Sequence, residues 1–465
     1  MGIERRRFMT SAAAAVSLPT LAASADRLAA ADQSAPALSI APFRFDATPP
    51  IGHSCCGGWT KSLSVIDDAL EAVGFVLLGA GSPVVVCAVD WCALANSAHL
   101  EWRRALAEAA GTTPDRVAVH CVHQHNAPFA CLDTEKIVAA QGDLPHVLDV
   151  SFFRRLLDDG RRAVERAVRD ARPCTHVATG KARIEKIASN RRVARDADGR
   201  VTASRTSACT KPELIALPEG LIDPFLRTVA FYDGAEKVVA CHYYATHPMS
   251  YYDDGRCTSD FVGLARKRRQ QDEPGCLHAY FTGCSGNVTA GKYNDGSPAA
   301  RVTLTQRLYD GIVGSEATLE PVPVTSAAWR TEEILPTVRA SFDAEAIRQK
   351  IGTRGAPVVE RNRPAYMLAW LERLENRRPI LLSSLSVNDA TLLHLPAECF
   401  VEYQLRAQSL APGRFVATAA YGDGGTWYVP VREEYPAGGY EISVAFSEPG
   451  TEDLITGAIM KLLPS

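Results

Sequence analysis

Between residues 82 and 123 the chain reads strand, helix, strand, and that order points to an α/β fold. SPVVVCAVDW (82–91) is apolar and β-branched and stops at Asp90. SAHLEWRRALAEAAG (97–111) is amphipathic, with Ser97 placed to cap it and Gly111 placed to end it. DRVAVHCVH (115–123) is apolar again. Two strands joined through a helix form a parallel pair. Further along, 151–171 carries the apolar stripe of a long helix, and THVATGKARIEKIA reads as a strand. TVAFYDGAEKVVACHYYATHP reads as a hairpin turning at Asp233-Gly234. Helices are expected near 260–271, 302–312, 343–351 and 365–376, and a strand over SVNDATLLHLP (386–396). A helix over CFVEYQLRAQ and a strand over FVATAAYG follow. No linker rich in Pro, Gly or Ser divides this pattern. The expectation is one α/β domain over 36–465, a mixed β-sheet core flanked by helices.

Residues 1–35 are set apart. ERRRFMTSAAAAVSLPTLAASADRLAAADQSA opens on arginines and continues into an Ala-rich, mildly apolar stretch with small-residue cleavage options. This is the layout of an export signal, and RRRFM resembles the twin-arginine form. An exported protein, periplasmic or extracellular, is expected. The formal net charge is −3, with no long basic or acidic block, which argues against nucleic acid as a partner. The basic run ARKRRQQDE (265–273) reads as a solvated helix face. The 13 cysteines include no CxxC pair and read as small buried residues, none assigned as nucleophile or ligand. The adjacent Cys55-Cys56 is left without a partner.

Three apolar runs end on side chains suited to metal or proton chemistry. RVAVHCVHQHNAP (116–128) ends on His123 and His125, which share a face if the strand continues. CHYYATHPMS (241–250) ends on His247 before a proline, and HLPAECFVEY (394–403) carries Glu398 where a strand gives way to a helix. Two histidines and a glutamate on strand ends are the ligand set of a hydrolytic zinc site. A Gly-loosened, Tyr-rich loop, YGDGGTWYVPVREEYPAGGYE (421–441), follows. YFTGCSGNVTAGKYNDG (280–296) places Ser285 in a partial G-x-S-x-G whose last glycine is replaced by Asn287. Read conservatively, the histidines are buried imidazoles bonded to backbone carbonyls. Glu398 is then a helix N-terminal carboxylate, the tyrosines pack, and Arg191 is a surface charge.

Taken together and in order, these segments resemble the neutral/alkaline, non-lysosomal ceramidases, specifically their N-terminal catalytic domain. VHQHNAP stands where that family has THTHSGP. The resemblance implies His123 as a zinc ligand and His125 in a supporting or substrate-side role. THPMS matches an NHPT-type segment and implies His247; PAECF matches PGEFT and implies Glu398. YVPVREEYPAGGYE is similar to the family's tyrosine region and implies Tyr428 as the zinc tyrosine and Tyr440 as a substrate-stabilising one. SNRR matches an NRS segment and implies Arg191 at the acyl end of the substrate. The likeness runs from DATPPIG (46–52) to about Glu441. The family's GDVSP is GNVTA here, so Asn287 and Thr289 replace an aspartate and a serine. The chain also ends about where the family's catalytic domain ends, so the small C-terminal β-sandwich is expected to be absent.

The implied function is Zn2+-dependent hydrolysis of an amide or ester by a metal-activated water. His125 moves a proton, Tyr440 steadies the oxyanion, Arg191 holds a carboxylate or carbonyl oxygen, and Thr289 orients water or leaving group. The substrate is a small molecule, lipids included, and a lipid substrate allows peripheral membrane contact. Two other readings stand beside this one: a zinc-independent hydrolase using Ser285 or Thr289, and an exported zinc- or ligand-binding protein without turnover.

Overall fold

Strands β1 (Ser39–Asp46), β2 (Glu71–Gly79) and β3 (Gly81–Val89) pair antiparallel. Helix α1 (Asn96–Ala110) then crosses over, and β4 (Val117–Cys121) returns parallel to β3, with Val85 opposite Val117 and Val89 opposite Cys121. The computed structural model describes residues 37–464; the expected leader over 1–35 lies outside them. Gly111 ends α1 in the left-handed conformation, as its position suggested. Ser97 does not cap it. The amides of Asn96 and Ser97 instead donate to the carboxylates of Asp423 and Asp133, which gives the helix N-terminus charged acceptors in place of a hydroxyl.

From Val84 to Val89 β3 is apolar because both its faces are covered. Val85, Cys87 and Val89 lie in the core beneath α1 and α2 (Val150–Arg169). Val84, Val86 and Ala88 lie in a second core shared with another sheet. That sheet holds β5 (His176–Arg183), the β6 (Phe225–Asp233)–β7 (Glu236–Tyr244) hairpin, and β8 (Leu277–Thr282) parallel to β7. Phe75 and Phe231 meet between the sheets, ring centroids 5.2 Å apart. Helices α3 (Asp260–Asp272) and α4 (Pro298–Glu316) cover its outer side, so the layers run helix, sheet, sheet, helix.

A third sheet is formed by β9 (Ala327–Ile334), β10 (Ile380–Val387), β11 (Ala390–His394) and β12 (Phe415–Ala419). SVNDATLLHLP is therefore a hairpin and not one strand: Asn388 takes φ 50°, which asparagine tolerates better than most residues, and turns the chain. The helix expected from 365 starts earlier, as α5 (Val358–Glu375), with Pro364 inside it. Its first turns are held from outside. Arg361 donates to Asp143 and to the Ile351 carbonyl, and Asn362 donates to the Gly57 carbonyl. Helix α6 (Val401–Leu410) follows Glu398. Among the described residues no helix is long and apolar enough to cross a membrane.

Each sheet contains one parallel pair, β3/β4, β7/β8 and β11/β12. Their C-terminal ends are stitched together. Cys121 N donates to the Tyr421 carbonyl (2.9 Å), Ala420 N to that of Thr282 (2.9 Å), and the Thr282 hydroxyl to that of Val122 (2.6 Å). In α/β folds this carboxyl edge is where ligands bind.

Candidate metal centre

The residues just past these strand ends converge. His123 Nε2 and His247 Nε2 lie 3.2 Å apart, and Glu398 Oε2 lies 3.4 Å from the first and 3.2 Å from the second. The other ring nitrogen of each histidine is committed: Nδ1 of His123 donates to the Cys92 carbonyl (2.7 Å), and Nδ1 of His247 to the Ser285 carbonyl (2.6 Å). A carbonyl can only accept, so each Nδ1 carries the proton and each Nε2 presents a lone pair. Two lone pairs and a carboxylate thus face one point, an arrangement that calls for a cation. Tetrahedral zinc with Zn–N of about 2.0–2.1 Å sets two imidazole nitrogens about 3.3 Å apart. The donor set and spacing fit the ion, and the conservative reading of these histidines becomes the support for their ligand role, since metal-bound imidazoles characteristically donate their second N–H in this way.

The electrostatics agree. Burial lowers His247 to about 4, so it is neutral near pH 7 despite Glu398 beside it. Burial alone would raise Glu398, but any proton shared with the facing His123 and His247 nitrogens holds it well below the usual carboxylate range, the part a cation held between the three would take over.

The local backbone is strained to achieve this. His123 has φ 75°, Ala397 47°, Tyr421 60° and Trp427 58°, all in the left-handed region. Such residues cost roughly 1–3 kcal/mol each and collect at functional sites. β4 has already ended at Cys121, so His123 and His125 do not share a strand face; the turn at His123 separates them. Their rings meet edge to face with centroids 5.0 Å apart, and His125 Nδ1 points to the Cys56 thiol at 3.4 Å. Burial opposes a charge on His125, yet the Cys56 thiol and Glu398 raise its pKa above the ordinary value.

Tyr428 comes to the centre by pairing. Its short strand runs parallel to the one bearing Glu398, and its ring stacks over His247 with centroids 6.3 Å apart. Burial and Glu398 keep its phenol well above the ordinary range, so it stands there protonated. Arg191 Nη1 donates to the Tyr428 hydroxyl (3.2 Å), and Arg191 Nε pairs with buried Glu441 (2.8 Å). Glu441 also takes Arg192 at 2.7 Å. Arg191 is therefore neither a surface charge nor a free fork; one side of its guanidinium is already committed, and it joins 190–192 to the tyrosine loop. Tyr440, 44% exposed, stands 5.8 Å from Tyr428 ring to ring and 5.5 Å from the Arg191 guanidinium. Tyr440 and half-exposed Tyr252 mark the open side.

Thr289 is fully buried, bridged in backbone pairing to His247, and its hydroxyl accepts from Gly291 N. Ser285 is also buried, its hydroxyl bonded to that of Tyr421 at 2.7 Å. Among the described residues neither hydroxyl bonds an imidazole or carboxylate that could serve as its base. Asn287 accepts from Val401 N and donates to Glu402 (2.9 Å each), so it caps α6 and pairs with a carboxylate that an aspartate there would repel. Tyr421 escaped the sequence reading. It stacks on His123 with centroids 4.1 Å apart, and its place immediately after an apolar strand was the one available signal.

No protein-family model matches the sequence, and no curated protein matches it. Among solved structures, the chain is similar to the crystal structure of neutral ceramidase from Pseudomonas aeruginosa. The TM-score is 0.68 at 17% identity, over 92% of this chain and 74% of that one. A ceramidase complexed with C2 gives 0.68 at 15% identity, over 92% and 75%. The likeness establishes a mixed α/β fold of the neutral ceramidase type.

Proposed function

We propose that the chain is a zinc-dependent, ceramidase-like hydrolase of amide or ester bonds, and that it acts after export. The observation that carries this is the meeting of His123 Nε2, His247 Nε2 and Glu398 Oε2 with both Nδ1 atoms bound to carbonyls. His123, His247 and Glu398 would hold the ion, with Tyr428 completing the set. Zinc in such a site supplies an activated water and a Lewis acid for a carbonyl oxygen. His125, beside His123, would shuttle a proton to the leaving group. Tyr440 donates to the oxygen that becomes negative, and Arg191 fixes the Tyr428–Tyr440 edge against it. Thr289 holds the Gly291 turn and keeps the His247 segment in place. The solved ceramidases support a lipid amide as the first substrate class to test.

A panel of N-acyl amides and matched esters, with short and long acyl chains, tests this reading. Turnover that a chelator abolishes and zinc restores is the expected result. Chelator-insensitive turnover would move the chemistry to Ser285 or Thr289. Retained zinc with no turnover across the panel would leave a binding protein.

A further inference from the structure

Beside the centre lies a second group of ligating atoms that the hydrolytic reading does not use as ligands. Cys56 Sγ is 3.9 Å from Cys92 Sγ and 3.4 Å from His125 Nδ1. Cys92 Sγ and a ring nitrogen of His125 lie within 4.8 Å of each other. Both thiols are 2% exposed, and His125 Nε2 is buried without a partner. Tetrahedral zinc, with Zn–S of about 2.3 Å and Zn–N of about 2.0–2.1 Å, sets two sulfurs about 3.8 Å apart and sulfur and nitrogen about 3.5 Å apart. The Cys56–Cys92 and Cys56–His125 spacings fall close to these values.

The chain is bent to bring these atoms together. Cys56 takes φ 45°, and Gly57 and Gly58 follow at 69° and 78°, three left-handed residues in succession. A Cβ on Gly57 would come within 2.8 Å of the Trp59 ring, so the segment needs glycine there. Cys56 N is held by the Ala127 carbonyl (2.9 Å), just past the HQHN segment. This conformation aims the second thiol of the unusual Cys55-Cys56 pair at Cys92 and His125.

We infer that Cys56, Cys92 and His125 form a second metal site, for a thiophilic d10 cation such as Zn2+, Cd2+ or Cu+, adjoining the His123–His247–Glu398 centre. Two sulfurs and one imidazole select soft or borderline cations. Binding releases the two thiol protons to solvent and leaves a coordination position open. Cys92 links the two sites, because its carbonyl orients His123 while its sulfur serves the second ion. Loading the site withdraws His125 from proton transfer and makes it inhibitory. That consequence rests on the function proposed above; the existence of the site does not.

Cobalt(II) separates the two sites by spectroscopy. The metal-free protein, reduced with a phosphine so that no free thiol competes, is titrated anaerobically. A near-ultraviolet cobalt–thiolate charge-transfer band that is complete by two cobalt per chain, one for each site, is the expected result. Cys56→Ser and Cys92→Ser should each remove it, and His247→Ala should keep it. Cobalt bound by the wild type without a thiolate band overturns the proposal, and this outcome needs no variant to fold. A band that survives Cys56→Ser overturns it as well.

Discussion

His247→Ala lowers turnover at least about a thousandfold, the loss of roughly 4 kcal/mol of transition-state stabilisation that a Lewis-acid metal provides. The effect is large because His247 is held from three sides. Its Nδ1 is bonded to the Ser285 carbonyl, its amide to that of Val288, and its Nε2 lies 3.2 Å from both His123 and Glu398. His125→Ala gives the informative contrast. It should keep the zinc of the His123–His247–Glu398 centre and lose about a hundredfold in turnover with an altered pH profile, as removal of a general acid–base group does. Folded His247→Ala protein with undiminished turnover would take the metal centre out of the mechanism.

Stability collapses as the pH falls from about 6.5 towards 4. Burial lowers His99 and His247 to about 4 and His120 and His242 to about 3. Each is neutral when folded and takes a proton when unfolded. The stability this represents is complete above the ordinary histidine pKa and is lost as the pH drops through the folded value. One such group contributes about 1.4 kcal/mol per pH unit inside that window, and the four together about 5 kcal/mol per unit. Buried Asp90, Asp260 and Glu402 oppose this in part, since burial raises their pKa values and the fold gains protons there. Asp423 reinforces it: burial raises its carboxyl, but Arg373 and His99 bring it below the ordinary value. Against a typical total of 5–15 kcal/mol, unfolding near pH 5 to 4 is expected. Urea unfolding at pH 7, 6, 5 and 4.5 measures it; a midpoint unchanged to pH 4.5 would mean that these histidines are hydrated.

The sequence carried the parts of this structure that depend on local pattern. The strand–helix–strand unit, the Asp233-Gly234 hairpin and the three strand ends bearing His123, His247 and Glu398 follow from apolar periodicity and turn residues. What it concealed depends on residues far away in the chain. The sequence offered Arg191 either as a substrate contact or as a surface charge, and its ties to Glu441 and Tyr428 depend on segments far along the chain. Ser97 looks like a cap until Asp423 and Asp133 take its task. The helix expected from 365 begins before Pro364 because Arg361 and Asn362 anchor the turn ahead of it. The left-handed turn at His123 has no local signature; hydrogen bonds from its own amide to Trp91 and from its ring to Cys92 hold it. The thiol pair was equally hidden, because Cys56 meets Cys92 only after the sheet has formed.

The most direct measurement is the zinc content of two proteins by mass spectrometry. One carries Cys56→Ser and Cys92→Ser, which removes the thiolate site from the count; the other adds His123→Ala. One zinc per chain in the first and none in the second is the expected result. Zinc absent from both, or present equally in both, would contradict a metal centre built on the ends of these strands.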